Sequence, residues 1–554
     1  MVALLPTAIT PEVLRRIALP HPALQALADE LIAHWFGLLP GFHRLVLNQG
    51  QVLLTLCIGP RQSLLRAQQF LADAVLLDAS IRPDTSPWDR WSLKTLSRCC
   101  RRGTTLTTTG LTPQARADLI QSGFELALDH VHGIYNPRWA LKRTRSPWAQ
   151  QHDTDDGPRP IDQSCVVIGA GLGGASVAAA LARRGWQVEV LDGAPFAAMG
   201  ASGLPVGLVV PHGSFDDSPR SRLSRAGVRL SLQQARQHLQ LGQDWSPSGV
   251  LELRRQGTPG LPTDWPEPGR DWSQTAAPQR LDAPWAQGLS NQAGALWHPL
   301  AAWIKPAKLV AAWLAQPGIC FRGEAHVAAL RRQNGRWAVL GADQTMLTSA
   351  KHVVLASATG TTRLLQDLNR HQPSARLNLA RLPSLQGIRG MVSWAVQNKD
   401  DAAMLPTFPV NGMGSLISNI PIDQGLAWYA GGSYEPDHQP PAAPKEHHSA
   451  NHSRLQTLLP AVGAATLDTF ANGHIQGWGQ TRCASTDRLP LAGPLTAFDA
   501  DDAQAPSLWI SSAMGSRGLS YCVLCAELLA AQLNAEPLPV PTDLAKLLNP
   551  LRAK

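Results

Sequence analysis

The chain has 554 residues, 44% hydrophobic and 16% charged, a composition that excludes a disordered polymer and allows two large domains or several smaller ones. Its formal net charge is +8, carried by 40 Arg and only nine Lys, so the excess leaves an anionic partner open without requiring one. The 46 Gly and 44 Pro show no repeating period, and the eight Cys are scattered, which excludes collagen-like, solenoid and disulfide-framework architectures.

The N-terminal residues Met1 to Pro6 carry no basic segment before an apolar core, so no secretory signal is expected and the protein reads as cytoplasmic. Ala23 to Trp35 has helical spacing. Arg44 to Ile58 is strand-rich around Asn48, Gln49 and Gly50, which predicts a hairpin. Ala74 to Asp78 predicts a buried strand ending in an acid. Thr104 to Thr109 is β-prone, and Pro113 to Ser122 predicts a helix that stops at Gly123. Residues 1–143 are therefore an α/β segment without a phosphate loop of its own. Residues 144–163 are polar and rich in Pro and Gly, as a linker is. Cys165 to Ala182 carries no charge over 18 residues, but its glycines divide it into a strand and a small-residue helix rather than a membrane span. Glu435 to Ser453 reads as a Pro- and His-rich loop. Its histidines (His438, His447, His448 and His452) lack an accompanying ligand set, so no metal is expected. Cys522 and Cys525 head a predicted helix, Leu519 to Leu533, and read as packing residues.

The first sharp signal is a dinucleotide motif. The apolar strand Cys165 to Ile168 runs into Gly169, Gly171, Gly173 and Gly174, then an Ala-rich helix, then the strand Trp186 to Leu191 with Asp192 at its end. Gly169 suits the tight turn, Gly171 a close approach of a pyrophosphate, and Gly174 the packing of helix on strand. The helix N-terminus offers N–H groups and a positive dipole to phosphates. Asp192 suits a ribose. Further glycine-bearing stretches follow far along the chain. Gly200, Ala201, Ser202 and Gly203 come just after the second strand. The strand Val353 to Ala358 contains Ala356. Gly515, Ser516, Gly518 and Leu519 precede the last long helix. A motif set spread over nearly 400 residues fits FAD rather than a compact NAD domain.

These stretches, with Arg482 to Gly493, Leu524 to Gln532 and Glu536 to Pro539, resemble the amine-oxidising flavoproteins of the glycine oxidase and D-amino-acid oxidase superfamily. They resemble more closely the FAD-dependent half of the MnmC family of bifunctional tRNA wobble-uridine modification enzymes. The resemblance covers about residues 160–550. It implies a Rossmann-like FAD-binding domain (about 164–213, 320–365 and 480–535) with an inserted antiparallel-sheet substrate domain (about 214–319 and 366–479). It implies oxidative removal of the carboxymethyl arm of 5-carboxymethylaminomethyl(-2-thio)uridine at tRNA position 34, giving the aminomethyl uridine and glyoxylate. The anticodon arm of tRNA is then the anionic partner. A carboxylate calls for the planar fork of Arg. By the resemblance, Arg482 and Arg517 hold that carboxylate. Leu204, Ala301 and Met391 stand where the family tends to have Asn, Gly and Gln.

Leu39 to Leu45 and the acid after Leu77 resemble the later part of the family's methyltransferase half, so the fold expected over residues 1–143 is a partial class I methyltransferase-like α/β segment. A methyltransferase of this class binds S-adenosylmethionine through a Gly-rich loop after its first strand, and none precedes residue 60. The family's catalytic Asp is followed by Gly, Phe, Ala and Pro. Asp78 is followed by Ala79, Ser80, Ile81, Arg82 and Pro83. S-adenosylmethionine binding and methyl transfer are therefore expected to be lost. Arg101, Arg102, Lys142, Arg143 and Arg145 are candidate phosphate contacts. Two other readings remain: an FAD amine oxidase of a small glycine- or sarcosine-like molecule, and a tRNA-binding flavoprotein remnant without turnover.

Overall fold

The apolar run from Cys165 forms the strand Ser164–Ile168 inside a six-stranded sheet. Its order is Ile319–Arg322, Gln187–Leu191, Ser164–Ile168, His352–Leu355, Ser507–Ser512 and Leu491–Pro494. The first five strands are parallel and the last is antiparallel. Strands buried on both faces read as continuous apolar runs, as these do. The helix Leu172–Ala182 follows the glycine loop, and its alanines let it lie close against the sheet. Glu527, fully buried in the last long helix Gly518–Leu533, accepts from Arg183 at 3.0 Å and Arg184 at 2.9 Å. The α/β architecture is thus the expected one. The computed structural model describes all residues except 81–87, 141–161, 256, 259, 290–294, 373–376, 378, 399–402, 496–506 and 554. Most of the expected linker 144–163 lies outside the described residues, as do Lys142, Arg143, Arg145, Ile81, Arg82 and Pro83.

The chain forms two compact units. One holds 1–161, 498–504 and 530–546; the other holds 162–497, 505–529 and 547–554. The second unit also contains a nine-stranded, largely antiparallel sheet. Within it, Leu385–Val396 pairs with Gln476–Ser485 over ten residues, from Leu385 opposite Ser485 to Trp394 opposite Gln476. A three-stranded meander, Ala329–Gln333, Arg336–Leu340 and Met346–Ala350, shares a core with the parallel sheet through Leu330, Trp337 and Val339. The expected loop 435–453 is instead largely helical: Pro444–Leu458 is an α-helix. Pro444 sits in its first turn, where a missing N–H costs nothing, and the carboxylate of Glu446 accepts the N–H of Ala443 at 3.2 Å.

The first unit carries two small sheets. The hairpin forms as expected, with Gly41–Leu47 antiparallel to Val52–Ile58. In the other sheet the order is Ala72–Asp78, Cys100–Thr109, His132–Tyr135 and Phe124–Leu126. The strand expected to be buried over Ala74 to Asp78 forms as Ala72–Asp78, but Leu76 is 85% exposed. The reason is that this is an edge strand, and the core with Leu93, Leu96 and Leu119 takes Val75 and Leu77 from one of its faces, with Ala72 at its start. The segment after the last long helix belongs to this unit too. Gln68 and Leu538 exchange two hydrogen bonds, and Arg44 donates to the carbonyl of Pro537.

His352 gives the second unit an acid-sensitive point. It is buried beside Trp186, with Nδ1 2.6 Å from the Ser507 hydroxyl. Burial first, then Lys351, lower its pKa to about 4. An unfolded His takes its proton near pH 6.5, so between pH 6.5 and 4 the unfolded state binds the extra proton. Stability is undiminished above that window and falls as pH descends through it. Denaturant titrations should show the wild type losing about 3 kcal/mol more than His352→Gln across it. Equal pH slopes would remove His352 from the account.

Candidate active site

The carboxyl ends of the parallel strands surround a cavity of about 520 Å³. This is where ligands sit in open α/β sheets. Of the residues singled out in the sequence, Gly169, Gly171, Gly173, Asp192, Gly200, Ala201, Ser202, Ala356, Arg482, Gly515, Ser516, Gly518 and Leu519 line it. Gly174, Gly203 and Arg517 do not.

The glycines have distinct jobs. Gly169 adopts φ +112°, and a Cβ there would lie 2.5 Å from the Ala356 carbonyl oxygen. At Gly174 a Cβ would lie 1.8 Å from the carbonyl oxygen of Gly169, so this residue sets the closeness of helix and loop. A Cβ on Gly171 would lie 2.9 Å from the Ser202 hydroxyl. That hydroxyl accepts the N–H of Leu172 at 2.9 Å, so the first N–H of the helix is capped from within rather than left free as the motif suggests. The two oxygens of Asp192 accept the N–H groups of Ala170 (2.7 Å) and Ala194 (2.9 Å). Each oxygen keeps a further lone pair for a ligand hydroxyl. Ala198, Ala358 and Ala513 all line the cavity with left-handed φ of 60°, 51° and 62°. Non-glycine residues in that region carry about 1–3 kcal/mol of strain each and cluster at functional sites. This cradle of glycines, backbone N–H groups and one carboxylate fits a dinucleotide such as FAD.

Arg482 reaches the cavity from the long strand Gln476–Ser485. Its Nη1 is buried without a hydrogen-bond partner. The guanidinium carbon lies 4.7 Å over the ring of Tyr434. Two glycines make room for it: a Cβ on Gly390 would lie 2.6 Å from Nη2, and one on Gly432 3.4 Å from the same atom. A buried guanidinium nitrogen without an acceptor is costly, and a carboxylate satisfies it. Arg517 does not line the cavity, although its neighbours Ser516 and Gly518 do. Its charge acts on the buried groups His212 and Tyr521. His212 has its pKa lowered to about 4, by burial first and then by Arg517 and Arg220. Its Nδ1 lies 2.9 Å from the Ser221 hydroxyl. The two arginines are therefore not brought together on the cavity wall.

Trp478, Gln480, Thr481, Met199 and Leu204 also line the cavity. The sequence reading passed over Tyr434, Gly390 and Gly432. A strand interior broken by Gly390 was the available signal, since such a glycine marks a close approach. Met391 lies elsewhere, close to Gly477 and Gly479. Cys522 and Cys525 are fully buried and burial raises both thiols, Cys522 to about 12, as packing residues require. Among the described residues no group of three His, Cys, Asp or Glu could hold a metal ion. No helix among them is long and apolar enough to cross a membrane.

A family model described as FAD dependent oxidoreductase matches residues 164–532. A protein from Albidiferax ferrireducens named tRNA 5-methylaminomethyl-2-thiouridine biosynthesis bifunctional protein MnmC is 46% identical over 555 residues, covering 96% of this chain and 84% of its own. The chain belongs to the MnmC family. A second MnmC protein, from Polaromonas naphthalenivorans, is 45% identical over 552 residues, with 97% of this chain and 82% of its own covered. Glycine oxidase from Geobacillus kaustophilus shares the fold, with a TM-score of 0.51 at 17% identity over 70% of this chain and 98% of that one. The FAD-dependent oxidoreductase reading therefore stands.

A second family model, described as S-adenosyl-L-methionine-dependent methyltransferase, matches residues 22–138. MnmC proteins are named as bifunctional. The expectation that methyl transfer is lost gains no support from these matches, and the segment stands as methyltransferase-like. Arg101 and Arg102, read as phosphate contacts, are both engaged within the protein. Arg101 pairs with Asp73, and Arg102 donates to Asn136 and to the carbonyl of Trp139, both at 2.9 Å.

Proposed function

We propose that the second unit removes the carboxymethyl arm of 5-carboxymethylaminomethyl(-2-thio)uridine in tRNA by oxidation at the cavity of Arg482. The observation that carries this is the buried, unpartnered Nη1 of Arg482 at the wall of an FAD-type cavity. The arm is an N-substituted glycine, so its carboxylate is the natural acceptor for that nitrogen. Bound FAD supplies the two-electron acceptor for the hydride of the glycine α-carbon. The chain's own part is to hold the arm by its carboxylate, keep the guanidinium in place through Tyr434 and the bare backbone of Gly390 and Gly432, and fix the α-carbon relative to the cofactor cradle. Loss of hydride leaves an imine. Water adds to it, the carbon–nitrogen bond breaks, and glyoxylate and the aminomethyl uridine result.

The test is nucleoside analysis of position 34 after incubating modified tRNA with the purified protein. The expected result is aminomethyl uridine and glyoxylate in equal amounts, with salt-sensitive tRNA binding. Turnover of sarcosine or glycine without turnover of tRNA would overturn the assignment.

For the methyltransferase-like segment the finer proposal is that S-adenosylmethionine does not bind. It rests on Ala79 and Ser80 after Asp78, and on the engagement of Asp78 Oδ1 by the Ser80 N–H (3.0 Å) and the Thr109 hydroxyl (3.4 Å). Calorimetry with S-adenosylmethionine is expected to show no heat of binding, and micromolar affinity would sink the proposal.

A further inference from the structure

The chain has four Tyr. Tyr135, Tyr429 and Tyr521 are buried, with 2–5% of their surface exposed, whereas Tyr434 is 57% exposed. A lone exposed aromatic is ordinary. The place of this one is not, because its ring carries the Arg482 guanidinium at 4.7 Å. With the cation against one face, the exposure falls on the rest of the ring.

The ring is also held in place. The N–H of Ser433 donates to the carbonyl of Met391 at 3.0 Å, and the Ser433 hydroxyl accepts the N–H of Met391 at 2.9 Å. Ser433 and Glu435 both meet His447 of the helix Pro444–Leu458, at 2.8 and 3.7 Å. Tyr434 stands between these two anchored residues in the chain, with its ring against Arg482.

We infer that Tyr434 is the platform on which the pyrimidine base of the modified nucleotide stacks while Arg482 holds its arm. This rests on the function proposed above. A rigid, exposed aromatic loses little conformational freedom on binding, and single bases outside a duplex are recognised by such stacking. Free glycine or sarcosine has no ring to place there, so Tyr434 separates an arm carried on RNA from a free amino acid.

Three variants test this with modified tRNA as substrate. Tyr434→Phe keeps the π-face and should hold KM within about twofold of wild type. Tyr434→Leu and Tyr434→Ala remove it and should each raise KM about tenfold or more, with kcat kept within about threefold and the flavin spectrum unchanged. If Leu behaves like Phe, the role is apolar packing and the stacking inference is wrong. It is equally wrong if Phe is as impaired as Ala, or if kcat collapses while KM stays put. If wild-type protein itself fails to oxidise modified tRNA, the proposed function falls first, and that failure is seen before any variant is measured.

Discussion

Arg482→Ala is expected to lower kcat/KM for modified tRNA by about 30- to 1000-fold, mainly through KM, while the purified protein stays yellow. The magnitude follows from truncating one partner of a desolvated charge pair, about 2–4 kcal/mol. Flavin retention follows from position: Arg482 sits on the sheet strand Gln476–Ser485, not in the glycine loops that form the cradle. The same substitution removes a buried nitrogen that has no hydrogen-bond partner and also the contact of the guanidinium with Tyr434, so the two effects offset and unfolding stability should change by no more than about 1 kcal/mol. A residue whose loss harms turnover but not folding is placed for a ligand. Arg482→Lys keeps the charge and loses the fork, so its KM should fall between the two. Arg517→Ala should have a smaller effect on KM, because Arg517 does not line the cavity. It should raise the pKa of His212, since the Arg517 charge helps hold that pKa down. Wild-type turnover by Arg482→Ala would end the carboxylate assignment.

The parts of this site that are local in the chain were legible in the sequence. Gly169 to Gly174 follow a strand, open a helix and precede Asp192, and each of those relations spans one βα unit. The expected hairpin around Asn48 and the strand end at Ile168 depend on local turn chemistry and apolar runs in the same way, whereas the strand expected over Val353 to Ala358 stops at Leu355 and leaves Ala356 in the loop beyond it. What escaped depends on pairing across distance. Gly390 in a strand interior signals a close approach but not what approaches. It matters because Leu385–Val396 pairs with Gln476–Ser485, which brings Arg482 against it. Tyr434 becomes notable only when that guanidinium lies over its ring. The cap of Leu172 comes from Ser202, thirty residues on, so the motif alone overstates how many helix N–H groups stay free. The helix Pro444–Leu458 was hidden by composition: Pro and His suggested a loop, yet Pro in a first turn is compatible with a helix. Arg482 and Arg517 were equivalent as motif residues, and only the unpartnered Nη1 of Arg482 and the cavity wall tell them apart.

Gly174→Ala should give a protein that expresses but does not hold FAD. The added Cβ would lie 1.8 Å from the Gly169 carbonyl oxygen, 3.0 Å from its carbonyl carbon and 3.1 Å from a methyl carbon of Val167. None of the backbone contacts is a flexible chain end, so the helix Leu172–Ala182 must move off the strand or the loop must open. Either movement also pulls at Gly169, whose φ of +112° and contact with Ala356 leave it no other conformation. The overpacking alone costs about 1–3 kcal/mol or more. The larger effect is on the cradle, because Asp192 and Ser202 are tied to Ala170 and Leu172 on either side of the displaced turn. FAD affinity should fall at least about 100-fold, read as loss of the 450 nm band after gel filtration (about 450 nm being the flavin's own absorption). Gly173→Ala is the graded comparison. Its Cβ would meet the Ser511 carbonyl oxygen at 3.0 Å and a mobile Met514 methyl at 3.4 Å, so a shift of a few tenths of an ångström suffices and most of the flavin should stay bound. The order of flavin loss, Gly174 well above Gly173, separates steric control of the helix position from a general intolerance of the loop. If the two variants retain FAD equally, the close packing of helix on loop is not what shapes the site.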